Sequence, residues 1–323
     1  MVRIGTRGSE LALWQARHVQ ARLGGEAAGV TLDIIKTTGD RMLDIPLQNQ
    51  LDKGFFTKEL EVALLADRVD AAVHSLKDLP TQLPDGLTLA AVPMRAAVED
   101  LLLVRPEAVD LSRPLPLKAG ARVGTASMRR IALLKHLAPD VEATFLRGNV
   151  PTRLGKAQKG ELDAVILARA GVSRLGLDPG DLVVFDLNPR LWLPAAAQGA
   201  LGLEARGQDA ATLARLATLH HIPTAAAVDV ERGLLRRMEG GCHSAFGAFA
   251  EIDDKGHGVL RAGIGDDRGW HHIEVSGAVG TLVEAAYEAM QAALAGLRHP
   301  AIRLDASGDD WHQHAHSWPI TKG

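Results

Sequence analysis

The chain has little cysteine, few aromatic residues and no long apolar run. Its one cysteine, Cys242, excludes an internal disulfide and argues against an oxidising compartment. Aromatic residues make up only 4% of the sequence, which leaves little surface for stacking nucleic-acid bases. No apolar run approaches the ~20 residues that a membrane-spanning helix needs. These features predict a cytoplasmic protein that binds neither nucleic acid nor a membrane.

The overall charge and composition are those of an ordinary globular protein. The net charge is −3, the sequence pI is about 6.5, and 46% of the residues are hydrophobic. A chain of 323 residues is expected to form two domains, or three small ones. Because the net charge attracts no anionic polymer, any anion site must be local.

Short aliphatic runs alternate with helix-like stretches over the first ~190 residues, a pattern typical of an α/β fold with mainly parallel strands. A strand is predicted over 2–5, and Ser9 is the predicted N-cap of the helix that follows. Two short segments recur in the same order: Arg3-Ile4-Gly5-Thr6 as Arg122-Val123-Gly124-Thr125, and Val69-Asp70-Ala71-Ala72-Val73 as Leu162-Asp163-Ala164-Val165-Ile166. We infer a duplicated βα domain.

The prolines and the change of pattern near residue 217 suggest the domain boundaries. We predict a first α/β domain over 1–93 and 194–216, a second over 98–190, and a small α+β domain over 217–303. The chain is then expected to cross twice between the first two domains, through a hinge. Residues 304–323 lack periodicity and are predicted to form a disordered tail, although its alternating histidines could also bind metal.

Arginines recur where predicted strands end or helices begin. They are Arg7, Arg129, Arg130, Arg147, Arg153 and Arg174. In open α/β sheets, ligands bind at the carboxyl ends of the strands, and guanidinium groups bind carboxylates in a bidentate manner. The set therefore favours a ligand with several carboxylates, although each arginine alone could belong to a solvated surface.

Two further residues are candidates for chemistry. Asp78 follows a predicted strand beside Lys77, where it could stabilise a developing cation, relay a proton, cap a helix or form a structural ion pair. Cys242 follows Gly240-Gly241 on a predicted turn, where it could be reactive or simply a small buried residue. The sequence contains no Gly-rich nucleotide loop, paired zinc-ligand motif or nucleophile elbow, so no metal site is predicted.

Several motifs together resemble the porphobilinogen deaminase family, also called hydroxymethylbilane synthases. They extend from Arg3 to about Arg303 and include Gly5-Thr6-Arg7-Gly8-Ser9, Lys53-Gly54-Phe55-Phe56, His74-Ser75-Leu76-Lys77-Asp78, Ser127-Met128-Arg129-Arg130, Leu146-Arg147-Gly148-Asn149, Gln198-Gly199-Ala200 and Gly240-Gly241-Cys242. One departure concerns Ala197, which precedes Gln198 where the family usually has glycine.

The resemblance implies a fold and an activity. It implies two α/β domains built like periplasmic binding proteins around a cleft, and a third domain whose cysteine, Cys242, carries a dipyrromethane cofactor through a thioether. The expected enzyme is a transferase. It condenses four molecules of porphobilinogen head to tail with release of ammonia, then hydrolyses off linear hydroxymethylbilane for porphyrin (haem) biosynthesis. The enzyme is expected to be a monomer, and its substrate is the small molecule porphobilinogen.

The resemblance also implies roles for individual residues. Asp78 would be the catalytic acid/base. The cofactor's carboxylates would be held by Lys77, Ser127, Arg129 and Arg130. Substrate and the growing chain would be bound by Arg7, Ser9, Phe56, Arg147, Arg153, Arg174 and Gln198, with Lys53 on a mobile lid.

Two alternatives would use the same arginines. A non-catalytic anion-binding protein of the same build would need neither Cys242 nor Asp78. An RNA-binding module would predict a basic chain and stacking aromatic residues, which this sequence lacks.

Overall fold

A computed structural model describes residues 1–36, 57–238 and 245–296, and the backbone of 311–313. Its strands, in chain order, are β1 Val2–Thr6, β2 Val30–Ile34, β3 Ala71–Ser75, β4 Leu87–Ala91, β5 Asp100–Val104, β6 Arg122–Thr125, β7 Glu142–Phe145, β8 Ala164–Ala168, β9 Val183–Leu187, β10 Leu201–Arg206, β11 Phe246–Ile252, β12 His257–Asp266, β13 Gly269–Ala278 and β14 Trp311–Gln313. Its α-helices are α1 Glu10–Arg22, α2 Lys58–Leu65, α3 Met128–Leu137, α4 Val150–Gln158, α5 Arg169–Arg174, α6 Ala210–Ala217, α7 Ile222–Met238 and α8 Val279–Leu294.

The chain folds into two compact units. The first comprises Met1–Ala96 and Gly199–Ala226, and the second comprises Ala97–Gln198 and Ala227–Gly323. The chain leaves the first unit shortly after Pro93 and returns shortly after Pro194, close to the predicted crossings. In this division the sheet of β11, β12 and β13 belongs to the second unit, so a separate third domain stays a prediction.

The first unit is a five-stranded sheet of order β2-β1-β3-β10-β4. Strand β1 pairs in parallel with β2 and β3, whereas β10 runs antiparallel between β3 and β4. The direction of β10 differs from its neighbours because the chain reaches it from the second unit and not through a helical crossover. Separate apolar clusters, one around Ile4 and Val73 and one around Leu60 and Ala72, form the core. Strand β1 is buried at four of its five residues, whereas the edge strand β2 alternates apolar and polar residues and is buried only at Val30.

The second unit repeats this plan. Its sheet has the order β14-β9-β5-β8-β6-β7, with β5 antiparallel to both β8 and β9. Without β14, the order of five strands matches that of the first unit, including one antiparallel strand next to the edge. The α/β fold class predicted from the sequence is therefore confirmed, with one antiparallel strand in each five-stranded set as the departure from a purely parallel arrangement.

The internal repeat is confirmed at the level of single contacts. Ile4 pairs with Ala71 between β1 and β3, and Val123 pairs with Ala164 between β6 and β8. The backbone N–H and Nε of Arg3 donate to Asp70 Oδ2 at 2.7 and 3.0 Å. The same atoms of Arg122 donate to Asp163 Oδ2 at 2.8 and 3.3 Å. The echoed residues thus tie equivalent strand starts together in both units.

The C-terminal part of the chain contains a three-stranded antiparallel sheet, β11-β12-β13, with α7 and α8. Apolar residues of this sheet and of both helices form one cluster that includes Leu234, Leu260 and Ala286. This part of the chain therefore combines helices with an antiparallel sheet, as the predicted α+β class requires. Among the described residues, no helix is long and apolar enough to cross a membrane.

Three residues of the predicted disordered tail have a described backbone. The backbone of Trp311–Gln313 forms β14, which pairs antiparallel with β9. Strand β9 would otherwise end the sheet with unpaired N–H and C=O groups, and an edge of this kind accepts a further strand from any segment that reaches it.

The turn before the second crossing contains a strained residue. Ala197 has a φ of +62°, in the left-handed region that favours glycine. Its backbone N–H donates to Glu231 Oε2 on α7 at 2.7 Å, and the carboxylate's other oxygen accepts from Ala250 N at 3.0 Å. The buried carboxylate of Glu231 therefore holds a conformation that alanine adopts at a cost.

We expect Ala197→Gly to stabilise the protein. Relief of the left-handed strain should exceed the extra entropy of glycine in the unfolded chain and raise the free energy of unfolding by about 0.5–1 kcal/mol. Urea denaturation measures the change. The matched control is Ala195→Gly, two residues earlier, where φ is not positive. This variant should lower the free energy of unfolding, because glycine there relieves no strain. Equal losses from both variants would contradict the assignment of strain to Ala197.

Candidate functional site

Four predicted site residues share one edge of the first unit's sheet. Arg7 follows β1 directly, and Ser9 is the N-cap of α1, accepting from Ala12 N at 3.3 Å. Strand β3 runs into a 3-10 turn, Leu76–Asp78, that leaves Lys77 and Asp78 exposed. Because β1 and β3 are parallel neighbours, their carboxyl ends meet at this edge. The structure thus brings the predicted acid and anion-binding groups of this unit to the same side.

The second unit places further predicted residues at the equivalent edge. Ser127 is the N-cap of α3 and accepts from Arg130 N at 3.5 Å. Arg147 follows β7, with its guanidinium carbon 5.8 Å from the ring centroid of Phe145. Arg153 on α4 donates from Nε to Gly148 O at 2.8 Å. A capping hydroxyl accepts from the helix, so its own proton can still be donated to an anion.

Arg174 is the last residue of α5 and does not lie directly at a strand end. Burial lowers the pKa of Arg174 to about 10, so it stays cationic at neutral pH. A half-buried cation of this kind is suited to a ligand that brings a negative charge with it.

Three more predicted residues meet at a buried carboxylate, Asp100, the first residue of β5. Asp100 Oδ2 accepts from Arg129 Nη2 at 2.9 Å, from Arg130 Nε at 3.0 Å and from Trp192 Nε1 at 2.9 Å. Its Oδ1 accepts from Arg130 Nη2 at 2.7 Å and from Gln198 Nε2 at 2.8 Å. We call Asp100 with these four donor residues the Asp100 cluster.

The charges of the Asp100 cluster do not cancel. Burial opposes ionisation of Asp100, but the charges of Arg129 and Arg130 outweigh it and hold the pKa of Asp100 well below its usual range. Burial lowers the pKa of Arg129, an effect that Asp100 counters. With the pair of guanidinium groups charged, one carboxylate leaves one net positive charge, and Arg129 Nε is buried without a hydrogen-bond partner among the described residues.

Sequence reasoning missed Asp100 and Trp192. A signal for Asp100 was present, because an ionisable residue stands directly before the apolar run Leu101–Val104 of a buried strand. Nothing local indicated that Gln198, 98 residues away in sequence, would bond to the same carboxylate.

Three predictions concern residues outside the described part of the chain. These are Phe56, Lys53 and Cys242. Within the ranges that the structure describes, no group of three or more histidine, cysteine or acidic side chains could hold a metal ion.

We expect Asp100→Asn to lower the free energy of unfolding by about 3–5 kcal/mol, because it leaves two buried guanidinium groups without a counter-charge. Chemical denaturation measures the loss. Glu284→Gln, which removes the exposed partner of Arg237 in the same unit, should leave the denaturation midpoint nearly unchanged. Similar midpoints for the two variants would contradict a central role for Asp100.

The chain is similar over most of its length to curated proteins of known name. It is 47% identical over 268 residues to porphobilinogen deaminase of Nitratidesulfovibrio vulgaris (strain DP4), covering 82% of this chain and 79% of the relative. It is 45% identical over 256 residues to the protein of the same name from Syntrophobacter fumaroxidans, covering 79% of this chain and 81% of the relative.

One solved structure with some likeness is the amino acid ABC transporter substrate-binding protein AbpA from Streptococcus pneumoniae. The identity is 12% and the TM-score 0.35, with 90% of this chain and 95% of that chain covered. A TM-score this low bears on neither the fold nor the ligand of this chain.

Two family models match the chain in sequence order. Residues 2–214 match the dipyrromethane cofactor binding domain of porphobilinogen deaminase, and residues 225–293 match its C-terminal domain. The first match alone spans more than half of the chain. The chain belongs to the porphobilinogen deaminase family.

Proposed function

We propose that the protein is a transferase, a hydroxymethylbilane synthase, which joins four porphobilinogen molecules head to tail with release of ammonia and hydrolyses off the linear product. The observation that carries the proposal is the set of arginine and serine side chains at the carboxyl ends of strands in each unit. Every pyrrole of this substrate bears an acetate and a propionate, and such a row of carboxylates needs repeated cationic partners. The non-catalytic alternative is not favoured, because the matched family model is that of a cofactor-binding domain.

The residues present fit a dipyrromethane cofactor. The net positive charge of the Asp100 cluster and the unpartnered Nε of Arg129 suit a carboxylate, and Ser127 retains a hydroxyl proton to donate. We infer that Lys77, Ser127, Arg129 and Arg130 hold its carboxylates and that Cys242 forms the thioether. When bound, this group supplies the pyrrole terminus to which substrate is joined. Asp100 would hold its two arginines in place throughout.

Asp78 is proposed as the catalytic acid/base. Its carboxylate is exposed on the 3-10 turn after β3, where it can stabilise the positive charge that develops on a pyrrole as ammonia leaves. It can also take up the proton that the joined ring releases.

The remaining predicted residues would bind substrate and the growing chain. Those in the described part are Arg7, Ser9, Arg147, Arg153, Arg174 and Gln198, and Phe56 would line the same site. Gln198 is fully buried and donates to Val98 O and Asp100, so it would act mainly by shaping the Asp100 cluster. The proposal includes a monomer that works in the cytoplasm.

Intact-mass spectrometry tests the proposed function. The purified protein should exceed its sequence mass by one dipyrromethane, and limiting porphobilinogen should add further pyrrole increments. Cys242→Ser is the matched control and should lack every increment. A parent mass equal to that of the sequence, with no increments on adding porphobilinogen, is the result that a non-catalytic anion-binding protein would give.

We expect Asp78→Ala to lower kcat by about 100-fold or more, since a preorganised charge facing a developing cation contributes on this scale. The folded state should be unaffected because Asp78 is exposed. Initial rates and thermal unfolding, measured together, check both expectations. Asp85→Ala removes an exposed carboxylate seven residues further along the same unit and should keep the parent rate. Normal turnover in the Asp78 variant would assign this residue a structural role.

A further inference from the structure

The strand that leads to Asp78 has ionisable side chains in the protein interior. His74 on β3 and Glu204 on β10 share a hydrogen bond, with His74 Nε2 2.8 Å from Glu204 Oε2. Their side chains are 5% and 0% exposed. A third buried group, Glu61, lies on α2, where burial raises its pKa and the charge of Glu204 adds to the effect. Neither His74 nor Glu204 has a part in the chemistry described above.

The opposite face of β3 is also held by a polar contact. Gln15 on α1, itself 2% exposed, donates from Nε2 to Ser75 Oγ at 2.7 Å. Successive residues of a strand point to opposite faces, so His74 and Ser75 anchor the two faces at neighbouring positions. The next residue, Leu76, donates its backbone N–H to Ala200 O at 3.0 Å and begins the turn that carries Asp78. The strand is therefore fixed on both sides within four residues of Asp78.

In the second unit, apolar residues occupy the positions equivalent to His74, Glu204, Gln15 and Ser75. Equivalent residues follow from the strand registers, in which Ala71 corresponds to Ala164, and from the N-caps Ser9 and Ser127. On this basis His74, Glu204, Gln15 and Ser75 correspond to Leu167, Leu103, Leu133 and Ala168. The three leucines are 2%, 0% and 1% exposed. The same sheet thus forms with hydrocarbon side chains, so the fold itself does not require an ionisable pair here.

A buried, hydrogen-bonded pair of ionisable side chains seldom stabilises a protein more than well-packed apolar residues of similar volume do. Such a pair instead fixes the relative orientation of its two side chains, because a hydrogen bond restricts distance and angle more strictly than apolar packing does. We propose that His74 and Glu204 are positioning residues, whose hydrogen bond holds the end of β3 and thereby the orientation of the Asp78 carboxylate. The inference rests on the proposed function in that Asp78 is taken as the catalytic group.

The double variant His74→Leu/Glu204→Leu gives the first unit the side chains of the second and tests the proposal. We expect an unfolding temperature equal to or above that of the parent, because two leucines can replace a buried pair. We expect kcat to fall by about 10-fold and KM to change by less than about two-fold, since misplacing a catalytic group impairs the reaction more than binding. Hydrogen exchange at the Leu76 and Leu79 amides should become faster, and exchange in the second unit should not change.

Two controls separate positioning from other causes. In Glu204→Gln, the side-chain amide can still form a hydrogen bond with His74, either as donor or as acceptor. Because the contact is kept, kcat should stay within about three-fold of the parent value. Arg68→Gln/Asp33→Asn removes an exposed ion pair of the same unit and should keep the parent kcat.

The following results would overturn the proposal: a double variant with parent kcat and parent exchange, a loss of kcat matched by a lower unfolding temperature, or a Glu204→Gln variant as slow as the double variant. A parent protein that does not turn over porphobilinogen would refute the proposed function alone. In that case the exchange at Leu76 and Leu79 would still decide whether the pair holds the turn.

Discussion

Asp100 accepts five hydrogen bonds in the interior of the second unit, and the arrangement of the proposed cofactor-binding residues depends on them. Its partners come from α3, from the segment after β9 and from the second crossing, so one carboxylate joins parts of the chain that are remote in sequence. Because two guanidinium groups face one carboxylate, the cluster carries a net positive charge, which under the proposed function the cofactor's carboxylates would balance. The contacts that hold this unit together are thus also the ones that the proposed cofactor binding would use.

The two units are built on the same scaffold but differ in their buried polar side chains. Apart from β14, their strand orders are the same, and so are their Arg–Asp strand starts, yet their buried polar side chains occupy different positions. Asp100 corresponds by register to Leu201, and Arg129 corresponds by N-cap spacing to Leu11. The first unit instead has its buried polar pair beside the turn that bears Asp78. Under the proposed function, these interior differences would suit one unit to hold anions and the other to orient the carboxylate of Asp78.

Much of the fold could be predicted from the residues. Strand β1 and the N-cap Ser9 lie where periodicity and capping preferences place them, because these signals act over a few residues. The internal repeat was readable for the same reason. The antiparallel directions of β5 and β10, and the pairing of β14 with β9, were not readable. Periodicity identifies a strand, but hydrogen bonding between backbones decides its partner and direction.

For the site, the sequence by itself determined the family and the candidate anion-binding and acidic residues, and it placed most of them correctly at strand ends and helix starts, Arg174 being an exception. These follow from motifs whose chemistry is local. Only the tertiary structure decided which charges face each other: that Arg129, Arg130 and Gln198 all bond to Asp100, and that His74 bonds to Glu204, 130 residues away. The physical reason is that a buried charge is stable only beside a partner, and the partner is whichever group the topology of the sheet brings within hydrogen-bond distance.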